Sequence, residues 1–300
     1  MKIGSAPVSF GIHGGADLTQ LVASPDQLLD AIASAGYQGS ELGPPGFFGS
    51  PTETVSSFTN RGLEVIAAYV PLHLSQPNAV LARDLEAMKR TLGELAETGN
   101  REVLAVLADE GDTDIIRHPF RAQGERGLNP AQWNVAIDRL NQADETARAA
   151  GVHTTFHPHF GTYVEQPGEI DTLLALSDIN LCLDTGHFVL GGADPVEYFV
   201  KWSHRINHIH VKDVRLAVMY EARDHGQENL ESWFSNVSCP LGEGDVPVEQ
   251  FIRLVADSDY SGWIVVEQDG APATAATWDS ILADQRANRD WVAERSRPRP

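Results

Sequence analysis

Four side chains of metal-binding type close short β-rich runs of the sequence. They are His157 in TTFH, Asp184 in LCLD, His210 in HIH and Glu267 in WIVVE. Successive strand residues point to opposite faces, and the apolar neighbours of these residues take the outer face, so the four polar side chains are predicted to point inward. A mixed set of imidazole and carboxylate groups suits Mn²⁺, Co²⁺, Fe²⁺ or Zn²⁺ better than Ca²⁺ or Mg²⁺.

Each of these residues has a structural explanation when it is taken alone. A histidine at a strand end is often only hydrogen-bonded, an aspartate can cap the next helix, and a glutamate can pair with a nearby cation. Matching positions on four consecutive strands are harder to explain in this way, because burying uncompensated polar groups is costly. We therefore predict one metal site formed by His157, Asp184, His210 and Glu267.

Lys212 and His159 extend the inward faces of two of these strands. Lys212 near a metal could polarise a carbonyl group or transfer a proton, and the alternative is an ion pair with Asp213 or Glu267. His159 continues the face of His157 if that strand persists. Further candidates for substrate contact lie after other strands or at the rim, with structural explanations as their alternatives: Glu41, His73, His187 and Arg215.

The elements that must position these residues alternate along the chain. Strand-like segments are predicted at 2–8, 39–42, 63–70, 102–107, 152–157, 179–183, 206–211 and 263–267. Helical patterns follow them at 24–35, 52–61, 79–98, 130–150, 167–176, 195–204, 247–257 and 275–295. Strands that alternate with helices pair in parallel, and eight such units close a barrel. The predicted fold class is α/β, a single eight-stranded parallel (β/α)8 TIM barrel, with a doubly wound open sheet as the alternative.

Two connections, 109–129 and 215–245, are longer than a compact barrel needs. Both follow strands, so they belong to the C-terminal rim, where barrel active sites lie. Both are polar and contain glycine, as substrate-covering loops do. The GEGD run at 242–245 lacks the context of a dinucleotide or phosphate loop, so we interpret it as a turn. We expect one barrel domain over residues 1–295 and a C-terminal tail at 296–300.

Composition narrows the class of partner. The 300-residue chain has 22 basic and 42 acidic residues, and its net charge of −20 disfavours nucleic acids and anionic membranes. Its two cysteines, Cys182 and Cys239, provide neither a disulfide scaffold nor a four-cysteine zinc site. The N-terminus lacks the apolar region of a signal peptide, and no stretch has the length of a membrane helix. We expect a cytoplasmic protein, and the sequence leaves open whether it forms a homo-oligomer.

Motifs spread over nearly the whole chain carry a family resemblance. They are APVSFG at 6–11, ELGPPGFF at 41–48, HPHFGTYVEQPGEID at 157–171, LDTGHFVLGGADP at 183–195, HIHVKDVR at 208–215 and GWIVVEQD at 262–269. The chain resembles the xylose-isomerase-like barrel superfamily of sugar isomerases, epimerases and related metal enzymes, and within it the dehydratase branch that acts on 2-keto-myo-inositol.

This resemblance implies a TIM barrel with a divalent metal, Mn²⁺ or Co²⁺ ahead of Fe²⁺ or Zn²⁺. The implied ligands are Asp184, His210, Glu267 and the residue that ends the fifth strand. Epimerases of the superfamily have a glutamate at that last position, whereas this sequence has His157, with His159 as the alternative ligand. The histidine agrees with the histidine-rich segment of the dehydratases.

The implied reaction is dehydration of a keto-polyol through a metal-stabilised enediolate. A base takes the proton next to the carbonyl and an acid protonates the departing hydroxyl, and His157, His159 or Lys212 are predicted for these transfers, with Glu267 chiefly a ligand. The alternatives are a metal-dependent sugar isomerase or epimerase and a non-catalytic sugar-binding or regulatory barrel. A phosphodiesterase acting on abasic DNA also occurs in the superfamily, but the charge of −20 opposes it. The expected partner is a small polyol or keto-sugar.

Overall fold

The structure, a computed structural model, describes residues 1–12 and 21–297. Its strands are β1 (Lys2–Ser5), β2 (Gly39–Leu42), β3 (Glu64–Leu72), β4 (Leu104–Asp109), β5 (His153–Phe156), β6 (Leu181–Asp184), β7 (Ile206–Val211), β8 (Asp213–Val214), β9 (Ser238–Cys239) and β10 (Trp263–Val266). Eight of them form a closed barrel of parallel neighbours in the order β1-β10-β7-β6-β5-β4-β3-β2, and β8 pairs with β9 in a separate antiparallel sheet. The predicted TIM barrel is confirmed, and the open-sheet alternative is wrong.

Helices connect and surround these strands. They are α1 (Pro25–Ser34), α2 (Pro51–Thr59), α3 (Asn78–Glu97), α4 (Thr113–Ile116), α5 (Pro130–Ala149), α6 (Pro167–Leu176), α7 (Thr185–Leu190), α8 (Pro195–Trp202), α9 (Leu216–Asp224), α10 (Glu231–Phe234), α11 (Val248–Ala256) and α12 (Trp278–Arg295). The start of α1 shows how the sequence determines where a helix begins. Ser24 Oγ accepts a hydrogen bond from the Gln27 backbone, and the Gln27 side chain accepts one from the Ser24 backbone, which closes a capping box.

Several predicted bounds differ from the structure. The first strand ends at Ser5 rather than at residue 8, because Pro7 opens a short 3₁₀ helix, Pro7–Phe10. His157 and Glu267 lie one residue beyond their strands, not within them. Their backbone N–H groups still donate to Leu107 and Val211 on the neighbouring strands, so both residues remain tied to the barrel wall.

Strand side chains separate into two buried layers. Ile209 and its outward-facing equivalents pack between the barrel and the helices, whereas Cys182 and Val265 belong to the interior cluster. The register pairs His210 with Asp184 on one side and with Val265 on the other. The predicted inward faces of β6, β7 and β10 are therefore confirmed, and their polar ends meet at the same height of the barrel.

The two long connections lie at the C-terminal ends of the strands, as predicted. One carries α4, and the other carries α9, α10 and β9 and directly follows β8. Within the described residues, no helix is both long and apolar enough to cross a membrane. The cytoplasmic location and the limits of the barrel domain stay predictions, and most of the predicted tail at 296–300 lies outside the described residues.

Candidate metal centre and active site

Three of the four predicted metal ligands converge at the C-terminal end of the barrel. One ligand atom from each of Asp184, His210 and Glu267 lies within 4.8 Å of the others, and all three residues are buried. His210 Nδ1 is 3.2 Å from Glu267 Oε2 and 3.7 Å from Asp184 Oδ2. Two carboxylates and one imidazole thus surround one point. Asp184 ends β6, His210 is the next-to-last residue of β7, and Glu267 follows β10.

His157, the fourth predicted ligand, borders this cluster. Its Nε2 is 3.4 Å from Asp184 Oδ2, and it also groups with Asp184 and His187 as a potential ligand set. Its Nδ1 is buried without a hydrogen-bond partner in the described part of the chain. A buried polar atom without a partner is costly, and a ligand that contacted this nitrogen would relieve that cost.

Glu41 lies beneath His210 and holds its ring. Glu41 Oε1 accepts hydrogen bonds from His208 Nε2 at 2.7 Å and from His210 Nε2 at 2.8 Å. With Nε2 donating, Nδ1 is the ring nitrogen that faces Asp184 and Glu267. Burial lowers the pKa of His210, but the neighbouring negative groups, among them Glu267 and Glu41, raise it by more, so it lies well above its ordinary value. A carboxylate behind a histidine is the usual arrangement in metal sites, because it fixes the tautomer and the ring orientation. The residues present therefore fit a divalent ion.

Lys212 Nζ is the positive group that contacts the carboxylates of this cluster. It lies 3.1 Å from Glu267 Oε2, 3.2 Å from Asp184 Oδ2 and 2.7 Å from Asp269 Oδ2, and 3.2 Å from His187 Nε2. Burial lowers the pKa of Lys212, but the three carboxylates raise it by more, so it lies well above its ordinary value. The cluster is therefore an environment that stabilises positive charge.

Asp213 does not take part in this network, so the predicted ion pair of Lys212 with Asp213 is wrong, whereas the alternative pair with Glu267 is present at 3.1 Å. Its carboxylate accepts backbone hydrogen bonds from Gly242, Gly244 and Val246 at 2.8–3.1 Å. The GEGD run is thus a turn, as predicted, and Asp213 fastens it to the rim. A side chain added to Gly244 would lie 2.3 Å from the Asp213 carboxylate, which explains the glycine at that position.

His159 and His187 form a second imidazole pair above the cluster. Their ring centroids are 3.9 Å apart, and the backbone N–H of Phe160 donates to His187 Nδ1. Burial, together with His157 and Lys212, lowers the pKa of His159 to about 4. His159 stays half-buried while His187 is fully buried, so His159 is the more accessible of the two rings.

Four aromatic residues, Phe120, Phe160, Trp233 and Phe234, cover this pair and join the two long connections; we call them the aromatic clasp. Trp233 stacks on Phe120 with ring centroids 5.4 Å apart and packs edge-on against Phe160 at 6.0 Å. Phe234 stacks over His187 at 5.8 Å. The sequence analysis did not identify these residues, although the WF pair at 233–234 in a polar loop is a signal of burial.

A buried ion cluster fastens the first long connection below the aromatic clasp. The Arg121 guanidinium contacts Glu165 Oε1 at 2.9 Å and both oxygens of Glu169 at 2.5–2.6 Å, and it donates to the Thr162 carbonyl. The Glu165 carboxylate also accepts from the Gly161 backbone. Arg121 therefore holds the segment that follows His159.

Replacing Arg121 with methionine is expected to lower the free energy of unfolding by about 3–5 kcal/mol, because two glutamates would stay buried without their partner. Denaturant unfolding measures this loss. Arg126→Met is the matched control in the same loop, because the Arg126 side chain is 38% exposed and its ion pair with Asp114 is on the surface. That variant should differ from wild type by less than about 1 kcal/mol, and an equal loss in both variants would contradict a special role for Arg121.

Other predicted residues lie at different places. His73 Nδ1 is 3.0 Å from Asp84 Oδ2, and its side chain is 32% exposed at the rim. Arg215 pairs with Glu243 on the surface at 2.9 Å. Their substrate contacts, like that of the buried Glu41, stay predictions. The structure also adds residues that the sequence analysis missed: Tyr69, Glu110, Asp269 and the aromatic clasp.

The barrel and its ligand cluster define a class of protein. The chain belongs to the xylose isomerase-like TIM barrel family, whose pattern matches residues 29–291. It is similar to the inosose dehydratase of Bacillus thuringiensis (strain Al Hakam), with 27% identity over 292 residues that cover 94% of each chain. The family resemblance predicted from the motifs is therefore confirmed.

Two solved structures share the fold. The IOLI protein with a binding zinc atom has a TM-score of 0.74 and 13% identity, and the match covers 100% of both chains. The probable 3-DHS dehydratase AsbF of Bacillus anthracis has a TM-score of 0.68 and 19% identity, covering 95% of this chain and 98% of that one. At these identities the likeness establishes the barrel alone.

Proposed function

We propose that this protein is a metal-dependent lyase that dehydrates a cyclic keto-polyol such as 2-keto-myo-inositol. The observation that carries the proposal is the convergence of Asp184, His210 and Glu267 on one point, with His210 Nδ1 facing both carboxylates. The full-length similarity to an inosose dehydratase supports the substrate class. The charge of −20 supports a small uncharged substrate over a nucleic acid.

Asp184, His210 and Glu267 would hold the divalent ion, with His157 as the fourth ligand. Two imidazoles and two carboxylates form a mixed nitrogen and oxygen set that suits Mn²⁺, Co²⁺, Fe²⁺ or Zn²⁺, and the family resemblance favours Mn²⁺ or Co²⁺. When bound, the ion acts as a Lewis acid that polarises the substrate carbonyl and acidifies the neighbouring C–H group. Glu41 would fix the ring of His210 from behind.

We assign proton transfer to groups that lie beside the proposed metal centre but are not among its ligands. His159 is the accessible imidazole on the substrate side, so we assign it the removal of the proton next to the carbonyl. We assign protonation of the departing hydroxyl to the ammonium group of Lys212, which contacts three carboxylates beside the proposed metal centre. The aromatic clasp covers this region, which favours proton transfer between these groups over exchange with water.

Substitutions at the two histidines of the HPH segment should affect different properties, turnover in one case and metal content in the other. His159→Gln is expected to lower kcat by roughly 10²–10⁴-fold, the usual contribution of a general base, with metal content unchanged. His157→Gln is expected to lower metal content instead. Turnover with 2-keto-myo-inositol and metal analysis of the purified variants measure both effects. Wild-type turnover and metal content in both variants would refute this assignment.

Incubation of the Mn²⁺-loaded protein with 2-keto-myo-inositol tests the function itself. Dehydration gives a product lighter by one water with the absorbance of a dione. A product of unchanged mass would support the isomerase or epimerase alternative. Absence of turnover together with absence of metal binding would support the non-catalytic barrel.

We further infer a reducing, cytoplasmic location. Cys182 and Cys239 are both free and buried in the structure. Free cysteines are ordinary in reducing compartments. The oligomeric state stays open.

A further inference from the structure

Tyr69 occupies an unusual position on the barrel wall. The register pairs it with Val106 on β4, whose side chain belongs to the barrel interior, while its neighbours Ala68 and Val70 are buried in the outer layer. Tyr69 therefore faces inward, yet it is 39% exposed. An inward side chain is exposed only where the barrel is open, so Tyr69 lines the mouth of the cavity above the ligand cluster.

Glu110, the residue after β4, forms a pair with Tyr69. The Tyr69 hydroxyl donates to Glu110 Oε1 at 2.8 Å, and the backbone N–H of Glu110 donates to the Leu72 carbonyl. The Tyr69 ring also lies edge-on to His157 with centroids 6.4 Å apart. The pair therefore borders the proposed metal centre, although neither residue is a member of it.

The barrel order places this pair opposite Lys212, the group assigned to protonate the departing hydroxyl. In the closed ring, β3 lies four strands from β7 and β4 lies four strands from β10. Tyr69 and Glu110 thus stand across the mouth from Lys212, which follows β7, and from Asp269, which follows β10. A substrate bound across the mouth would have its departing hydroxyl at the Lys212 side and its other hydroxyls towards Tyr69 and Glu110, with His159 on the segment after β5, the neighbour of β4.

We propose that Tyr69 and Glu110 form a hydroxyl-binding wall that recognises the non-reacting hydroxyl groups of a cyclic polyol. The Glu110 carboxylate can accept hydrogen bonds from two hydroxyls, because its Oε2 has no hydrogen-bond partner in the described part of the chain. The Tyr69 hydroxyl can accept from one more, and its ring can pack on a C–H face of the substrate. This inference rests on the proposed function for its substrate class.

Tyr69→Phe and Glu110→Gln test the wall. Binding of myo-inositol, a cyclitol without a keto group, to the Mn²⁺-loaded protein is measured by calorimetry, and kinetics are measured with 2-keto-myo-inositol. Both variants are expected to raise Kd and KM by about 10-fold, as the loss of a hydrogen bond to a charged or polar group does, while kcat changes by less than about 3-fold at comparable substrate saturation. Tyr220→Phe, on α9 with a side chain that packs on Arg223, is the control and should match wild type.

A deoxy analogue of the substrate shows whether Tyr69 and Glu110 bind a substrate hydroxyl or only hold β3 against β4. If the wall binds a hydroxyl, an analogue that lacks it should bind wild type and the variants equally. Equal losses for every analogue, wild-type binding by both variants, or no binding of myo-inositol by wild type would overturn the inference. Weaker myo-inositol binding by the variants in a protein that dehydrates no keto-polyol would leave the wall in place and refute the proposed function.

Discussion

The Asp184→Asn variant is expected to lose metal binding and turnover together. The substitution replaces a charged ligand with a neutral amide at the centre of the cluster, where one aspartate oxygen faces His157, His210 and Lys212. Loss of metal catalysis removes several kcal/mol of transition-state stabilisation, which corresponds to a decrease of about 10³-fold or more in turnover. Metal analysis and dehydration kinetics on the same preparation measure both losses.

Asp194→Asn is the matched control for this variant. Asp184 Oδ1 also caps α7 through the His187 backbone, and Asp194 caps α8 in the same way through Val196. Asparagine is as good an N-cap as aspartate, so neither substitution should disturb its helix. Asp194→Asn should therefore keep full metal content and turnover, whereas retention of both by Asp184→Asn would refute the metal centre.

Lys212→Met should give the second largest loss of turnover, but unlike Asp184→Asn it should keep its bound metal. Methionine fills a similar volume but carries no proton to transfer, so kcat is expected to fall by roughly 10²–10⁴-fold. The carboxylates of Asp184 and Glu267 remain, so the variant should still bind Mn²⁺. Turnover near the wild-type level would remove Lys212 from the mechanism, and loss of metal would show that it supports the ligands instead.

The free energy of unfolding of Lys212→Met should depend on whether metal is bound. Without Lys212, the carboxylates of Asp184, Glu267 and Asp269 lose their shared positive partner in a buried site. Removing one partner of a buried ionic cluster costs about 3–5 kcal/mol, so the variant should unfold more easily than wild type in a chelator. Added Mn²⁺ should restore most of this loss, because ligands that bind only the folded state stabilise it. A metal-independent loss would contradict the coupling.

The barrel and the ligand cluster were predictable because their signals are local. Alternation of apolar and polar residues in HIH and LCLD reveals which side chains face inward, and the strand ends of a parallel barrel all lie on one rim. Asp184, His210 and Glu267 could therefore be brought together without knowledge of any loop. His157 borders this group rather than joining it, because its Nε2 lies against Asp184 at 3.4 Å and the ring groups with Asp184 and His187 instead.

The remaining site residues depend on contacts between distant segments. Asp269 follows Glu267 by two residues, but its contact with Lys212 depends on the path of the chain after β10. Glu41 was expected at the substrate, and only the three-dimensional arrangement shows it hydrogen-bonded to two histidines from β7. Tyr69 resembles any core aromatic in sequence, because its exposure arises from the open end of the barrel.

The aromatic clasp has a consequence for the timing of the reaction. Phe120 and Trp233 come from loops that are far apart in sequence. Their stacked rings join the two loops, so that each loop packs against the other. Opening the cavity on that side without losing this stacking requires both loops to move together, so they would open as one gate with one barrier. Substrate entry and product departure would then share a single rate-setting event, independent of the chemistry at the ion.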